Sequence, residues 1–100
     1  MNKNMVRQAQ KLQAQLQKVQ EELETLTVEG SAGGGVVKVV MTGKQSVESV
    51  NIDSEAAEDV ELLQDLVAAA VNDAFNKTQE LASQKMSSVT GGMNIPGLGF

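Results

Sequence analysis

The sequence predicts an α+β protein in the order long helix, three-stranded antiparallel sheet, long helix, closed as a homodimer. Three observations predict it. Apolar residues recur at helical spacing up to residue 26, give way to short Val/Ile/Thr runs punctuated by glycine, and return to helical spacing beyond residue 60.

The first helix is read from Met5, Ala9, Leu12, Leu16, Val19, Leu23 and Leu26, whose steps alternate between 4 and 3. The residues between them are mostly Gln, Lys and Glu, which favour helix. An apolar seam of two positions in seven is narrow, and it suits a partner helix better than a broad core.

Three strands follow, at Thr25–Glu29, Val36–Thr42 and Val47–Ile52. The run from Gly30 to Gly35 separates the first two, and Gly43-Lys44 between the last two is a two-residue hairpin signal. The middle strand can present Val37, Val39 and Met41 on one face and Val36 and Val40 on the other. The acidic stretch Asp53–Glu61 then leads into a second helix reaching about Met86. Its stripe, which includes Leu66, Val67, Ala70 and Val71, is broader than the first. Glu55, Glu58, Asp59 and Glu61 at its start and Lys85 near its end suit the macrodipole. The domain is therefore placed at 1–90, followed by a flexible Gly/Pro tail at 91–100.

Size argues for two copies. Helices of about 25 residues span roughly 35–40 Å, whereas a 100-residue globule has a radius of gyration of about 13 Å. Three short strands cannot cover both helices, so Leu12, Leu16, Val19 and Leu23 on the first helix, with Leu66, Val67, Ala70 and Val71 on the second, form the dimer and core seam. The alternative is that the two helices cover each other within one chain.

Composition narrows the function. At 41% apolar residues the chain is not a disordered tail, and no apolar run approaches a membrane span. The polar start lacks a secretory core, and cysteine is absent, which together point to the cytoplasm. Without histidine there is no usual proton shuttle or common metal ligand. Phe75 and Phe100 are the only aromatic residues, too few for a single-strand stacking surface. The glycine run lacks the Lys-Ser/Thr of a phosphate loop, and before Gly43-Lys44 position 38 is Lys38 where such a loop needs glycine. The acids at 53–65 lack the alternating pattern of a calcium loop. Methionines 5, 41 and 86 read as gap-fillers in the core. No catalytic constellation, metal site, cofactor or small-molecule substrate is expected.

The net charge of −5 conceals an asymmetry. Residues 1–20 carry Lys3, Arg7, Lys11 and Lys18 and no acid, while residues 21–76 hold twelve acids against Lys38 and Lys44. Lys3, Arg7 and Lys11 follow at i, i+4 and i+8 on the face away from the seam. Each such like-charge pair costs about 0.2–0.5 kcal/mol, and cations at a helix start oppose the dipole. Such a stripe can neutralise phosphates; a solvated polar face gives the same pattern.

The local sequences add a resemblance. Gln8-Ala9-Gln10, the stretch Thr27-Val28-Glu29-Gly30-Ser31-Ala32-Gly33-Gly34-Gly35-Val36-Val37-Lys38-Val39, Gly43-Lys44, Ile52-Asp53, Leu63-Gln64-Asp65-Leu66-Val67-Ala68-Ala69-Ala70-Val71-Asn72-Asp73-Ala74, Lys85-Met86 and Pro96-Gly97-Leu98 resemble the bacterial YbaB/EbfC family of nucleoid-associated proteins. The resemblance implies a tweezer-like homodimer whose helical arms bind double-stranded DNA with little sequence specificity and help organise the nucleoid and regulate genes. Lys3, Arg7, Lys11 and Lys18 match the DNA-binding role, with Lys77 and Lys85 as further candidates on the second helix. The competing expectation is an adaptor that recruits another protein, for example in recombination or repair, through its helical seam or C-terminal tail.

Overall fold

The computed structural model describes residues 2–90. Helix α1 spans Lys3–Thr25, strands β1, β2 and β3 span Thr27–Ala32, Val37–Thr42 and Val47–Ile52, and helix α2 spans Val60–Thr90. The strands form one antiparallel sheet in the order β1-β2-β3. The predicted order of helix, three strands and helix is therefore observed. The glycine-rich tail expected at 91–100 lies outside the described residues.

Asn2 starts α1 by accepting the Asn4 N–H at 2.7 Å. At the other end Leu26 is already extended, so the helix passes into β1 without a loop. Asp59 starts α2: its carboxylate accepts the Leu62 N–H at 3.1 Å and its carbonyl the Leu63 N–H at 2.9 Å. The helix then runs to Thr90, four residues beyond the expected end near Met86.

The first strand starts two residues later than predicted, because α1 runs on to Thr25, and ends three later, because Gly30 belongs to the strand and not to the turn. A Cβ at Gly30 would stand 2.3 Å from the Ala70 carbonyl oxygen and 2.4 Å from the Ala74 nitrogen. The α2 backbone thus rests directly on β1, a contact that only glycine permits. The turn is made by Gly33, Gly34 and Gly35, with φ of 63°, 73° and 96°, a left-handed run costly for any other residue, and by Val36, which falls just before β2 and not in it as expected.

The second hairpin also departs from expectation. Gly43-Lys44 is not a two-residue turn; the loop is Gly43-Lys44-Gln45-Ser46, closed by the Thr42 N–H on the Ser46 carbonyl at 2.8 Å. Gln45 takes the left-handed position at φ 65°, and a bulge lies at Val40/Met41. Gly43 is needed elsewhere: a Cβ there would lie 2.7 Å from the Leu23 carbonyl oxygen, so this glycine lets α1 approach the sheet.

Val37, Val39 and Met41 point to one face, as their alternation predicts, and are buried with Ala56, Ala70 and Ala74. Leu63, Leu66, Val67 and Val71 pack around them. In the register Val37 pairs with Ile52, Val39 with Val50 and Met41 with Val47, so the apolar side chains of β3 share this inner face. Yet α2 packs chiefly across β1 and β2, and Val47, Val50 and Ile52 remain 47%, 45% and 38% exposed. The molecule is elongated, 66 × 25 × 15 Å.

Substitution at two glycines checks this packing. Gly30→Ala must push α2 off the sheet and costs about 3 kcal/mol, the upper end for overpacking. Gly34→Ala meets no atom within 4 Å and costs about 1 kcal/mol for its left-handed backbone. Urea denaturation of the two variants checks the ranking, and equal losses would contradict it.

Candidate nucleic-acid interface

Two parts of α1 differ in environment. At its C-terminal half Val19 and Leu23 are buried, and Leu12 and Leu16 are half-buried. This half lies against the end of β2, where Gly43 receives Leu23, and against the C-terminal part of α2. Lys44 donates a hydrogen bond to the Gln20 side-chain oxygen on the same side. From residue 2 to residue 11 every position is exposed, including Met5 and Val6. The N-terminal half of α1 is therefore an arm without cover among the described residues.

The six predicted cations divide accordingly. Lys3, Arg7, Lys11 and Lys18 are all exposed on α1. At about 100° per residue they fall within an arc of roughly 80°, turned away from the Leu12–Leu16–Val19–Leu23 seam. None of the four takes part in an ion pair among the described residues.

Lys77 and Lys85 are engaged within the chain. Lys77 lies 3.2 Å from Asp73 and donates to the Glu29 carbonyl at 2.8 Å, while the same Asp73 oxygen accepts the Ser31 N–H at 3.0 Å. The pair staples α2 to β1. The Ser31 N–H, and after it Lys77, holds the Asp73 carboxyl below its ordinary value. Lys85 lies 2.9 Å from Glu22 and so joins the two helices; it is not in the last turn of α2, and its expected role as a dipole partner does not hold. The hydrogen bond from Lys85 lowers the Glu22 carboxyl, with the charges of Lys85 and Lys18 adding to the effect.

On α2 the predicted seam residues Leu66, Val67, Ala70 and Val71 face the sheet of their own chain. The outer sheet face carries Thr27, Glu29, Ser31, Lys38, Ser49 and Asn51, in keeping with a solvated antiparallel surface. Among the described residues no group of three or more acidic, histidine or cysteine side chains is placed to hold a metal, and no helix is long and apolar enough to cross a membrane.

Sequence reading missed Gly30, Gly43, Glu22 and Asp73. The carboxylates act across elements far apart in the chain, which local spacing does not reveal. The glycines did stand out as punctuation, but their use against a helix backbone depends on tertiary packing.

Residues 1–93 match the model of the YbaB/EbfC DNA-binding family, and the chain belongs to that family. It is 55% identical over 100 residues to a nucleoid-associated protein of Desulforamulus reducens, covering 98% of this chain and 94% of that one. It is 52% identical over 97 residues to another of Syntrophobacter fumaroxidans, covering 95% and 88%. The fold matches the crystal structure of an uncharacterised Helicobacter pylori protein at a TM-score of 0.74 and 20% identity, over 88% of this chain and 96% of that one.

The Asp73 staple makes stability depend on acid. Its carboxyl is lowered in the folded chain, so the stabilisation is complete above the ordinary value of 3.8 and fades as pH falls through the lower folded value. Asp73→Asn loses stability at neutral pH, and its deficit against the wild type shrinks in strong acid. Urea midpoints at neutral and acidic pH measure this; a deficit that widens in acid would contradict it.

Proposed function

We propose that the chain is a cytoplasmic, nucleoid-associated protein that acts as a homodimer and binds double-stranded DNA with little regard to sequence. In this reading it contributes to nucleoid organisation and, through it, to gene regulation. The observation that carries the reading is the exposed stripe Lys3, Arg7, Lys11 and Lys18 on α1, whose first turns have no cover among the described residues, in a chain that is otherwise acidic. Exposed cations outside any ion pair among the described residues suit phosphates, and phosphate contacts carry no sequence information. The acids elsewhere repel DNA and confine contact to the arms.

The dimer is supported by what one copy leaves open. Val47, Val50 and Ile52 continue the buried face of β2 but are exposed among the described residues, as are Val60 and Leu62 at the start of α2. A two-fold partner closes such a surface with the same patch from the second copy. Two copies present eight α1 cations on two arms. If about half engage phosphates, affinity falls with salt at a log–log slope of about −3.6.

The test is a salt titration of binding to duplexes of unrelated sequence, with the mass checked by sedimentation in the same buffer. The wild type is a two-chain species that binds all duplexes alike and weakens with salt. Lys3→Gln/Arg7→Gln/Lys11→Gln stays dimeric and loses most of the binding. An intact dimer that ignores DNA at low salt would overturn the reading in favour of a protein partner at the exposed apolar surface.

A further inference from the structure

Where α1 parts from α2, a notch of about 250 Å³ opens between the helices. Lys18 lines it from α1 and Lys85 from α2, with Gln15, Glu22 and Ser88 beside them. Lys85 is paired with Glu22, and the charge of Lys18 bears on the same carboxylate without an ion pair. Lys85 and Glu22 are 2.9 Å apart, yet their side chains keep 35% and 33% exposure, so the pair is open to an incoming ligand. Lys18 also belongs to the basic face of α1, so the notch lies at the foot of the stripe that begins at Lys3. The Gln15 amide and the Ser88 hydroxyl add neutral donors suited to oxyanion oxygens. The notch carries a net positive charge and offers more donors than Glu22 alone can satisfy.

We propose that this notch is a backbone-phosphate site for duplex DNA, with Glu22 holding in the free protein the place that a phosphate oxygen takes in the complex. The proposal rests on the reading that the α1 stripe binds duplex DNA. On binding, Lys85 exchanges a carboxylate for a phosphate, and Lys18 and Lys85 grip the same group from two helices. Glu22 is then a competitor for DNA as well as a link between helices. The two roles predict opposite signs. A pure link loses DNA affinity when its charge is removed, because the arm loosens. A competitor gains affinity, because Lys85 is released.

The experiment is a salt titration of a random-sequence duplex against the wild type, Glu22→Gln and Glu22→Gln/Lys85→Gln, with thermal melting of each protein. One additional phosphate contact steepens the log–log slope by about 0.9, which near 0.1 M salt is about eightfold in affinity. The wild-type complex already holds this contact, so Glu22→Gln is expected to bind more tightly at an unchanged slope, and Glu22→Gln/Lys85→Gln to lose that gain together with about 0.9 of the slope, or about eightfold in affinity, per phosphate released. Unchanged or weaker binding by Glu22→Gln with an unaltered melting temperature would overturn the site. If Glu22→Gln melts lower, the comparison between the two variants decides, since both lack the carboxylate. A shallower slope in the double variant supports the site, and equal slopes overturn it. A wild type that binds no duplex at low salt overturns the arm reading and the notch together, whereas a binding wild type with indifferent variants overturns the notch alone.

Discussion

The contact between the α2 backbone and β1 at Gly30 sets the layout of the chain. Ala70 and Ala74 are fully buried there, and their small side chains with the missing Cβ of Gly30 bring helix and strand into backbone contact. A helix seated that deeply on one strand packs on it and on its neighbour β2 and leaves β3 largely exposed. The Asp73–Lys77 pair fixes the same seat from the side, through the Ser31 N–H and the Glu29 carbonyl. Two open surfaces follow. Among the described residues the inner face of β3 is left largely exposed, and α1, held by Leu23 over Gly43 and by Glu22 on Lys85, is anchored along its C-terminal half.

The charges of α1 make sense in that layout. Cations near a helix N-terminus and a repeated i, i+4 spacing oppose the stability of the helix itself. On a helix packed along its length such an arrangement would bring nothing in return. Here it lies on the half that has no packing partner, with Asn2 supplying the N-terminal cap that no acidic residue in the first turn reinforces. The acids Glu21, Glu22 and Glu24 lie on the packed half, where Glu22 is used for contact with α2. Lys3, Arg7 and Lys11 thus lie on the open part of α1 and the acids on the anchored part, where Lys18 is the one cation.

Much of this was legible from local pattern. The 4-3 spacing from Met5 to Leu26 marked α1, and the alternation of Val37, Val39 and Met41 marked the inner face of β2. The residues of the basic stripe were legible for the same reason, since exposure on a helix follows from spacing against the seam. What escaped was set by distant partners. Gly30 and Gly43 read as turn residues because their backbone neighbours, Ala70 with Ala74 and Leu23, are remote in sequence or on another element. Lys77 and Lys85 read as free cations because Glu29, Glu22 and the fold that brings them near are invisible to a local window. The α2 seam residues serve their own chain's core, a distinction that helical spacing alone does not make.

The central claim is that the open, basic side of α1 meets DNA while the sheet does not. Titration of a random-sequence duplex into isotopically labelled protein, followed residue by residue by NMR, tests it most directly. The account predicts shifts along α1 at Lys3, Arg7, Lys11 and Lys18, and quiet amides on the outer sheet face at Glu29, Lys38 and Asn51. Shifts centred on those sheet residues, with α1 unmoved, would contradict it.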